Sequence, residues 1–485
     1  MDRRNFLKGT VMLGMGVQAD GAAGKAGDPS ASYYEEPARK LPIRQFDVVV
    51  AGAGTAGVVA ALAAARQGAR TVLIERKGYP GGTVVEGGTA LHSFYNLWTG
   101  FPGVKKRQVV KGIAQEIIDR LMKVGATTGY PEMTKGINYD SVCTAIDTEM
   151  YKLVTFEMLS EAGVFVCVNT LLAGAIMDAR RIRGAIAESR SGREAIYAKS
   201  FVDCTAYGDL AAWAGAAYTE PNDYAVANSI GVANVNVEKY HEFLRSHDAV
   251  TQYCEGLRSG QDGRIVRVQG GGGKLPRAFR DAARKIGMST VTTTVHDDYF
   301  MFIKLNFKMR VSPTDRDAVS KAELELRQRQ AKAIELFRKH VPGCEKAFIA
   351  RTSPSLCIRR GRRIVCDYDI THEDVIEGRH FPDDVMAYGF HDSAPRWQIK
   401  DGGTYGVPYR ALRVAKVDNL LAAGMMITSD HRAHMSTRNT VCCMGQGQAA
   451  GTAAALCAAG KCGTRELPYA ELRKALEKGG VYFES

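Results

Sequence analysis

The chain has 485 residues, which at about 150 residues per domain corresponds to three domains, or to two with one divided by an insertion. Hydrophobic residues make up 45% of the chain and charged residues 24%, and these values exclude a disordered, collagen-like or coiled-coil chain. No apolar run reaches the roughly 18 residues of a membrane-spanning helix. The net charge is +12, but no recognised nucleic-acid-binding module accompanies it, so no nucleic-acid partner is expected.

The first forty residues have the features of an export signal and a linker. Arg3 and Arg4, followed by Phe6, Leu7 and Lys8, resemble a twin-arginine signal, and a short apolar stretch comes next. Residues 1–40 are therefore expected to direct export to the periplasm or another extracytoplasmic space. A cytoplasmic protein with a basic leader is the alternative.

A nucleotide-binding unit is predicted from residue 46 onward. Residues 46–50 read FDVVV, which indicates a buried parallel strand, and residues 52–57 read GAGTAG. An alanine-rich helix over residues 58–67 and a second strand over residues 71–74 follow. This order of strand, GxGxxG turn, helix and strand predicts a dinucleotide-binding domain.

Each glycine of the motif has a physical role in binding a dinucleotide. Gly52 permits the tight turn, Gly54 lets the backbone approach a pyrophosphate, and Gly57 lets the helix pack closely on the strand. The helix N-terminus then faces the phosphates with its free N–H groups. Glu75, at the end of the second strand, can accept hydrogen bonds from the adenosine ribose.

Three further segments resemble flavoprotein motifs rather than those of nicotinamide dehydrogenases. After Glu75 the chain reads RKGYPGGT, with a glycine pair that in flavoproteins bends back over the pyrophosphate and ribityl chain. Residues 201–209, FVDCTAYGD, resemble a "DATGDGD" turn, and residues 417–424, VDNLLAAG, resemble the second flavin strand. A helix from about residue 444 follows, whose small residues either bring its positive end to the flavin or serve plain helix packing.

Together these segments resemble the bacterial FAD-dependent oxidoreductases of the glutathione-reductase superfamily, near the flavin subunits of fumarate reductase and heterodisulfide reductase. The resemblance covers most of residues 46–460 and includes an arginine strand, in which Arg359, Arg362 and Arg363 match an R-x-x-R-R pattern. Tyr207 and Met425 depart from the family pattern and leave the contacts to the ribityl chain open. The resemblance implies FAD as cofactor, bound by Gly52, Gly54, Gly57, Glu75, Arg76, Gly82, Thr83, Val168, Thr205, Gly208, Asp209, Gly424 and Gly447.

The predicted fold class is α/β: a discontinuous Rossmann-like FAD-binding domain, with a parallel sheet and a β-meander, and an inserted α+β substrate domain. The FAD-binding domain comprises residues 46–215 and 402–462, the insertion residues 216–401, and a C-terminal surface helix residues 463–485. The meander is expected to start at residues 164–168, with Val168 near the adenine. Residues 315–340 are expected to form one long helix.

Much of the excess positive charge lies in residues 258–310 of the insertion. It is explained either by a solvated basic surface or by a field that attracts an anionic small-molecule substrate. The eleven cysteines contain no CxxC pair, so no metal site is expected. Most of them should be small buried residues.

Residues 429–439, just before the C-terminal flavin helix, are the expected wall of the active site. His431 and His434 are candidate proton donors or acceptors, and Arg438 is a candidate clamp for a substrate carboxylate. Structural hydrogen bonds for one histidine and an ion pair for one arginine are the alternatives. His92 could also line the site, and a purely structural role is its alternative.

The resemblance implies an FAD-dependent oxidoreductase, and we expect hydride transfer between a small polar substrate and flavin N5. A sugar, a sugar acid or another hydroxylated compound is the expected substrate, and a histidine would handle the proton. Reduction of an activated C=C bond in a carboxylate substrate is the alternative. A flavin-carrying RNA-associated protein is a third interpretation that only the basic charge supports. The electron partner and the oligomeric state are left open.

Overall fold

The computed structural model describes residues 34–88, 90–91, 93–96, 105–135, 142–221, 224–391, 398–400 and 403–484. The chain divides into two units, Met1–Leu41 and Pro42–Ser485. In the first unit the described residues, 34–41, are irregular and mostly exposed. The predicted twin-arginine segment and His92 lie outside the described residues.

The second unit contains both strands and helices. In chain order the strands are β1 (Ile43–Gln45), β2 (Val48–Ala51), β3 (Thr71–Ile74), β4 (Met133–Lys135), β5 (Phe165–Cys167), β6 (Leu171–Asp178), β7 (Arg181–Ser189), β8 (Gly192–Tyr197), β9 (Ser200–Asp203), β10 (Tyr218–Thr219), β11 (Tyr224–Ala233), β12 (Val250–Arg258), β13 (Gln261–Gly270), β14 (Thr292–Thr293), β15 (Tyr299–Met309), β16 (Phe348–Thr352), β17 (Cys357–Ile358), β18 (Arg363–Ile364), β19 (Asp384–Tyr388), β20 (Tyr405–Pro408) and β21 (Leu420–Ala422). The helices are α1 (Thr55–Arg66), α2 (Thr83–Gly87), α3 (Ile113–Lys123), α4 (Thr148–Glu161), α5 (Asp209–Trp213), α6 (Val237–Ser246), α7 (Arg277–Lys285), α8 (Arg316–His340), α9 (His372–Ile376), α10 (His434–Thr437), α11 (Thr440–Gly460) and α12 (Tyr469–Lys478). Within the described ranges, none of these helices has the length and apolarity needed to cross a membrane.

A five-stranded parallel sheet with the strand order β21-β9-β2-β3-β5 forms the centre of the FAD-binding part. Val49 of β2 is in register with Val72 of β3 on one side and with Phe201 of β9 on the other. The residues of β2, β3, β9 and β21 are all buried, as is typical of a parallel sheet inside an α/β protein. The predicted α/β fold class is confirmed.

The β-meander comprises β6, β7 and β8, and β1 adds to β8 in parallel. The prediction was wrong for residues 164–168, because β5 lies at the edge of the parallel sheet, where Leu73 is in register with Val166. Helix α4 precedes β5 and provides the crossover that a parallel strand requires. The meander therefore begins only at β6.

The inserted part has a hydrophobic core of its own and most of the strands of two four-stranded sheets, to which β4 adds from the FAD-binding part. One sheet has the order β15-β11-β16 with β17 also paired to β11, and the other has the order β14-β13-β12-β4. Helix α8 begins at Arg316, one residue after its N-cap Asp315, close to the predicted start. The second core contains apolar residues from Val226 to Ile358.

The chain returns to the core of the FAD-binding part earlier than the predicted boundary at residues 401 and 402. Ile364, Val385 and Ile399 all belong to the first core. They do so because the antiparallel pair β19 and β20 packs with α11, which lies against α1. The change of core therefore falls between Ile358 and Ile364.

Helices α1 and α11 pack with their backbones in close contact. A Cβ atom added to Gly447 would lie 2.2 Å from the carbonyl oxygen of Ala56, and one added to Gly451 would lie 2.0 Å from that of Ala60. The glycines are four residues apart on α11 and the alanines four apart on α1, so a single face of α11 packs on a single face of α1. This packing fixes where α11 begins relative to the sheet.

Replacement of Gly451 by Ala should therefore destabilise the protein. The new methyl group would meet backbone atoms of α1, and we expect a loss of about 1–3 kcal/mol, as for other overpacked cores. Gly460 on the same helix is a matched control, because a Cβ atom there would meet only the Cys462 sulfur at 3.6 Å. Denaturant unfolding should show a loss for Gly451→Ala and none for Gly460→Ala; equal stability of the two variants would contradict the packing argument.

Candidate active site

A cavity of about 430 Å³ lies at the carboxyl ends of the parallel strands. It is lined by residues that directly follow β2, β3, β9 and β21, including Gly52, Glu75, Cys204 and Gly424. Ligands of open α/β sheets bind at this edge. Small residues follow three of these strands, β2, β9 and β21, whereas β3 is followed by the charged residues Glu75, Arg76 and Lys77.

The carboxylate of Glu75 holds the glycine turn in place. Its Oε2 accepts a hydrogen bond of 2.8 Å from the Ala53 N–H, and its Oε1 accepts one of 2.9 Å from the Lys77 N–H. A carboxylate oxygen has more than one acceptor site, so both oxygens can also accept from ribose hydroxyls. Glu75 thus connects the glycine turn to the predicted ribose contact.

The glycine pair after β3 folds back onto the glycine turn. The Gly81 N–H donates to the Ala53 carbonyl at 2.8 Å, and a Cβ atom on Gly82 would lie 3.0 Å from the Gly54 Cα. Gly82 and Thr83 both line the cavity. The two turns therefore form a single backbone cradle at the N-terminus of α1.

The space beside Gly54 shows whether a pyrophosphate fits at the glycine turn. Its φ of −63° suits any residue, and an added Cβ atom would find only the Cys204 carbonyl oxygen, 4.0 Å away. Among the residues that the structure describes, none therefore requires glycine at this position. The open space belongs to the cavity, where the backbone N–H groups of α1 point at the place for a diphosphate.

The turn after β9 is organised by the buried carboxylate of Asp203. Its Oδ1 accepts from the Thr205 N–H at 2.9 Å and the Thr205 hydroxyl at 2.8 Å, and its Oδ2 accepts from the Ala211 N–H at 2.9 Å. Burial raises the pKa of Asp203 to about 6, although these hydrogen bonds favour its charged form. Thr205 and Asp209 line the cavity as a result.

The N-terminus of α11 closes the cavity on the other side. The Gly424 N–H donates to the Gln446 side chain at 2.8 Å, which ties the end of β21 to the first turns of α11. Thr440 and Cys443 of α11 line the cavity. The helix starts at Thr440 rather than near residue 444, so its positive end reaches the cavity.

Four of the predicted cofactor residues do not line the cavity. Gly57 is needed for packing, since an added Cβ atom would lie 1.8 Å from the Gly52 carbonyl oxygen, and Gly447 packs on α1 as described. Gly208 turns the chain with a φ of +65°. Val168 precedes the lining residues Thr170, Leu171 and Leu172. The predicted cofactor residues that do line the cavity are Gly52, Gly54, Glu75, Arg76, Gly82, Thr83, Thr205, Asp209 and Gly424.

The structure does not place either predicted histidine in the lining of this cavity. His431 lines a separate cleft of about 400 Å³ and contacts Arg360. His434 is buried, and its Nε2 lies 3.2 Å from the Arg359 carbonyl oxygen. Burial and the charges of Arg438 and Arg360 lower the pKa of His434 to about 3, so its imidazole is neutral.

This arrangement corrects the expectation that residues 429–439 form one wall of the site. Asp430 Oδ1 accepts from the N–H groups of Arg432 and Ala433, which turns the chain away from the cavity and starts α10. The segment reaches the cavity only at Arg438 and Asn439. Of the three predicted catalytic residues, Arg438 alone lines the cavity.

The arginine strand divides between two roles. Arg359 lines the cavity, whereas Arg362 forms an ion pair of 2.9 Å with Asp209. Arg363 donates to the Ser429 carbonyl and to the Thr219 hydroxyl. One arginine of the pattern thus faces the cavity and two join neighbouring segments.

The inserted part contributes lining residues that the sequence reasoning missed. Arg267 and Gln269 on β13, Ser289, and Phe302 and Lys304 on β15 line the same cavity. In each strand the two residues are two positions apart and share a face. The excess of basic residues in residues 258–310 indicates that this region could bind an anion, but it does not show which of these residues line the cavity and which lie on the surface.

A comparison with known families decides the class of the protein. Residues 47–476 match the family model described as FAD dependent oxidoreductase. The chain belongs to this family. The protein is therefore an FAD-dependent oxidoreductase, and the predicted cofactor and enzyme class are confirmed.

Other similarities are partial or remote. Two curated relatives, both 3-oxosteroid 1-dehydrogenase from Mycobacterium tuberculosis, are 36% identical over 84 residues, which span 16% of this chain and only 15% of theirs. A geranylgeranyl bacteriochlorophyll reductase-like protein from Thermoplasma acidophilum has 14% identity and a TM-score of 0.44, covering 90% of this chain and 83% of that one. The flavin-dependent brominase Bmp2 has 12% identity and a TM-score of 0.45, covering 90% and 84%.

The space above Gly54 gives a direct test of the cofactor cradle. Gly54→Ala should fold as the parent does but bind FAD at least about tenfold more weakly, because the methyl group occupies the place of the diphosphate. Gly52→Ala is the contrasting variant, since its Cβ atom would lie 2.7 Å from the Cys204 carbonyl oxygen and should disturb folding itself. Circular dichroism and FAD fluorescence titration measure the two effects, and undiminished FAD affinity of Gly54→Ala would contradict the cradle.

Proposed function

We propose that the protein transfers a hydride between a small polar substrate and FAD, with a sugar, a sugar acid or another hydroxylated compound as the first candidate. When bound, FAD would supply a two-electron centre that can accept a hydride from a substrate C–H bond; the hydroxyl proton would pass to water, and the substrate would become a carbonyl compound. An external acceptor must then remove the two electrons.

The continuity of one cavity carries this proposal. The residues that fit the cofactor and the polar side chains of β13 and β15 line the same space. A substrate held by Gln269, Ser289 and Lys304 would lie within the cavity that holds FAD.

The chain's own residues would orient the substrate and balance charge. Arg438 and Arg359 can clamp an oxygen that becomes negatively charged. The N-terminus of α11 favours negative charge on the reduced cofactor. His434 acts indirectly in this proposal, because it contacts the Arg359 carbonyl and so positions Arg359.

The second candidate, reduction of an activated C=C bond in a carboxylate, is favoured by one observation. Among the described residues that line the cavity there are cationic N–H donors and the Tyr207 hydroxyl but no imidazole. The carboxylates among them, Glu75, Glu86 and Asp209, are engaged by backbone N–H groups or cations. The cationic donors and the hydroxyl can stabilise an enolate or give a proton, whereas oxidation of an alcohol needs a group that accepts one. The substrate would then take a hydride from the reduced cofactor, and an external electron donor would have to supply the two electrons.

The direction of the flavin colour change separates the two candidates. Polyols, sugar acids and hydroxy acids should bleach the oxidised holoenzyme without oxygen if the first candidate is correct. Reoxidation of the prereduced holoenzyme by enoates would instead support the second. Stopped-flow absorbance measures both, and a spectrum unchanged by every compound would leave neither candidate supported.

Arg438→Gln should slow flavin reduction or reoxidation by about tenfold to a hundredfold, because one charge-assisted hydrogen bond is lost in the transition state. Arg432→Gln is the matched control, since Arg432 lies on the same segment but is exposed and does not line the cavity. Equal rates for the two variants would remove Arg438 from the mechanism.

We also propose that residues 1–40 direct export of the folded holoenzyme, which Arg3 and Arg4 and the following Phe6 to Lys8 support. Exchange of both arginines for lysine should retain the protein in the cytoplasm with its FAD content unchanged. Cell fractionation measures this, with Arg39→Lys as the control outside the motif. An unaltered periplasmic yield of the double variant would count against export.

A further inference from the structure

The end of the cavity formed by the inserted part combines cationic and apolar side chains. Arg267, Lys304, Arg359 and Arg438 supply the cations, and we refer to these four residues as the basic cluster. Val291, Phe302, Leu356 and Ile358 supply apolar surface to the same cavity and are buried. A ligand that satisfies both sets must carry a negative charge and an apolar body.

One short segment links the two strands that carry Arg267 and Lys304. The Ser289 N–H donates to the Lys304 carbonyl at 2.8 Å, and four residues later Thr293 is in register with Arg267. The segment between Ser289 and Thr293 therefore spans the gap from β15 to β13. Both cations line the same cavity although their strands belong to different sheets.

The other two members of the basic cluster meet around His434. Its imidazole contacts the Arg359 carbonyl at 3.2 Å, and the charge of Arg438 contributes to the low pKa of the same imidazole. The Nε of Arg359 is buried and has no hydrogen-bond partner among the described residues. A buried guanidinium nitrogen without a partner is costly, and a ligand oxygen would satisfy it.

The carboxylates of the cavity are engaged elsewhere. Glu75 accepts hydrogen bonds from two backbone N–H groups, Glu86 pairs with Lys77, and Asp209 pairs with Arg362. They lie at the cofactor end, after β3 and β9 and on α2. The basic cluster therefore makes the far end of the cavity electropositive.

The apolar surface argues against a sugar as the group that this end recognises. A polyol needs a hydrogen-bond partner for each hydroxyl, and buried hydroxyls without partners are costly. Beside the basic cluster, Gln269 and Ser289 are the neutral polar side chains that the inserted part contributes among the described lining residues. Four buried apolar side chains instead favour the burial of hydrocarbon.

We propose that the substrate is an organic carboxylate with an apolar body, whose carboxylate contacts Lys304, Arg267 and Arg359 while its hydrocarbon packs on Phe302 and its apolar neighbours. This inference rests on the second candidate of the proposed function, because it names the substrate class of the same site, and it counts against a sugar as the substrate. It requires no further cofactor, and binding itself involves no redox step.

The test measures binding to the oxidised holoenzyme by perturbation of the flavin spectrum. The probes are 3-phenylpropanoate and 4-methylpentanoate, each compared with its primary amide, which has a similar shape but no charge. The wild-type protein should bind each acid at least about tenfold more tightly than its amide, since hydrogen bonds to charged groups are the stronger kind.

Variants assign the preference to the basic cluster. Lys304→Gln and Arg359→Gln should each weaken binding of the acids by about tenfold and leave binding of the amides unchanged, whereas Lys304→Arg should retain the preference. Lys308→Gln is the matched control, because Lys308 lies on the same strand with the same charge but is exposed outside the cavity. Equal binding of acids and amides by the wild type, or equal weakening of both by the variants, would overturn the inference.

The experiments distinguish failure of this inference from failure of the proposed function. Acids that bind selectively but leave the flavin oxidised, with every compound of the screen also inert, would support this inference and count against hydride transfer. Bleaching by a neutral alcohol, combined with failure of both acids to bind, would support hydride transfer and refute the carboxylate.

Discussion

The whole site depends on backbone packing around the first two turns of α1. A side-chain atom on Gly57 would lie 1.8 Å from the Gly52 carbonyl, and one on Gly447 would lie 2.2 Å from the Ala56 carbonyl. The helix therefore fits between β2 and α11 only because Gly57 of α1 and Gly447 of α11 have no side chains at these two contacts. This constraint fixes the glycine turn, the N-terminus of α1 and the start of α11 relative to one another. The ends of β3 and β21 are hydrogen-bonded to them, through Glu75 to Ala53 and through Gly424 to Gln446.

The same packing determines the electrostatics of the cavity. Thr55 and Ala56 of α1 and Thr440 of α11 all line it, so two helix N-termini converge on one space. Two buried carboxylates then hold the adjacent turns, Glu75 through Ala53 and Asp203 through Thr205. Both accept hydrogen bonds from backbone N–H groups, which offset the cost of their burial. The carboxylates of Glu75 and Asp203 thus hold the turns in place, while the positive ends of the two helices face the ligand.

The sequence could predict what depends on neighbouring residues. The strand, the GxGxxG turn, α1, β3 and Glu75 lie within thirty residues, and their mechanical roles follow from their spacing. By contrast, the lining residues Arg267 and Lys304 lie on different strands, and nothing local reveals that the segment from Ser289 to Thr293 links these strands. The histidines were misplaced for a related reason, since the turn at Asp430 depends on which backbone N–H groups its carboxylate accepts from. Strand β5 was assigned to the meander because periodicity shows a strand but not its partner.

His434 shows why a titratable residue in a functional segment need not be a proton carrier. It is buried between Arg359, whose carbonyl it contacts, and the charges of Arg438 and Arg360, which with burial lower its pKa to about 3. A lysine at this position would add a further cation to a crowded set, and a carboxylate would pair with the arginines and remove them from the ligand. A neutral imidazole avoids both effects, because it offers one N–H donor to the Arg359 carbonyl and no charge. The residue type that suggested acid–base chemistry in the sequence is thus suited to a place beside Arg359 and Arg438, where a neutral side chain leaves both of their charges available to the cavity.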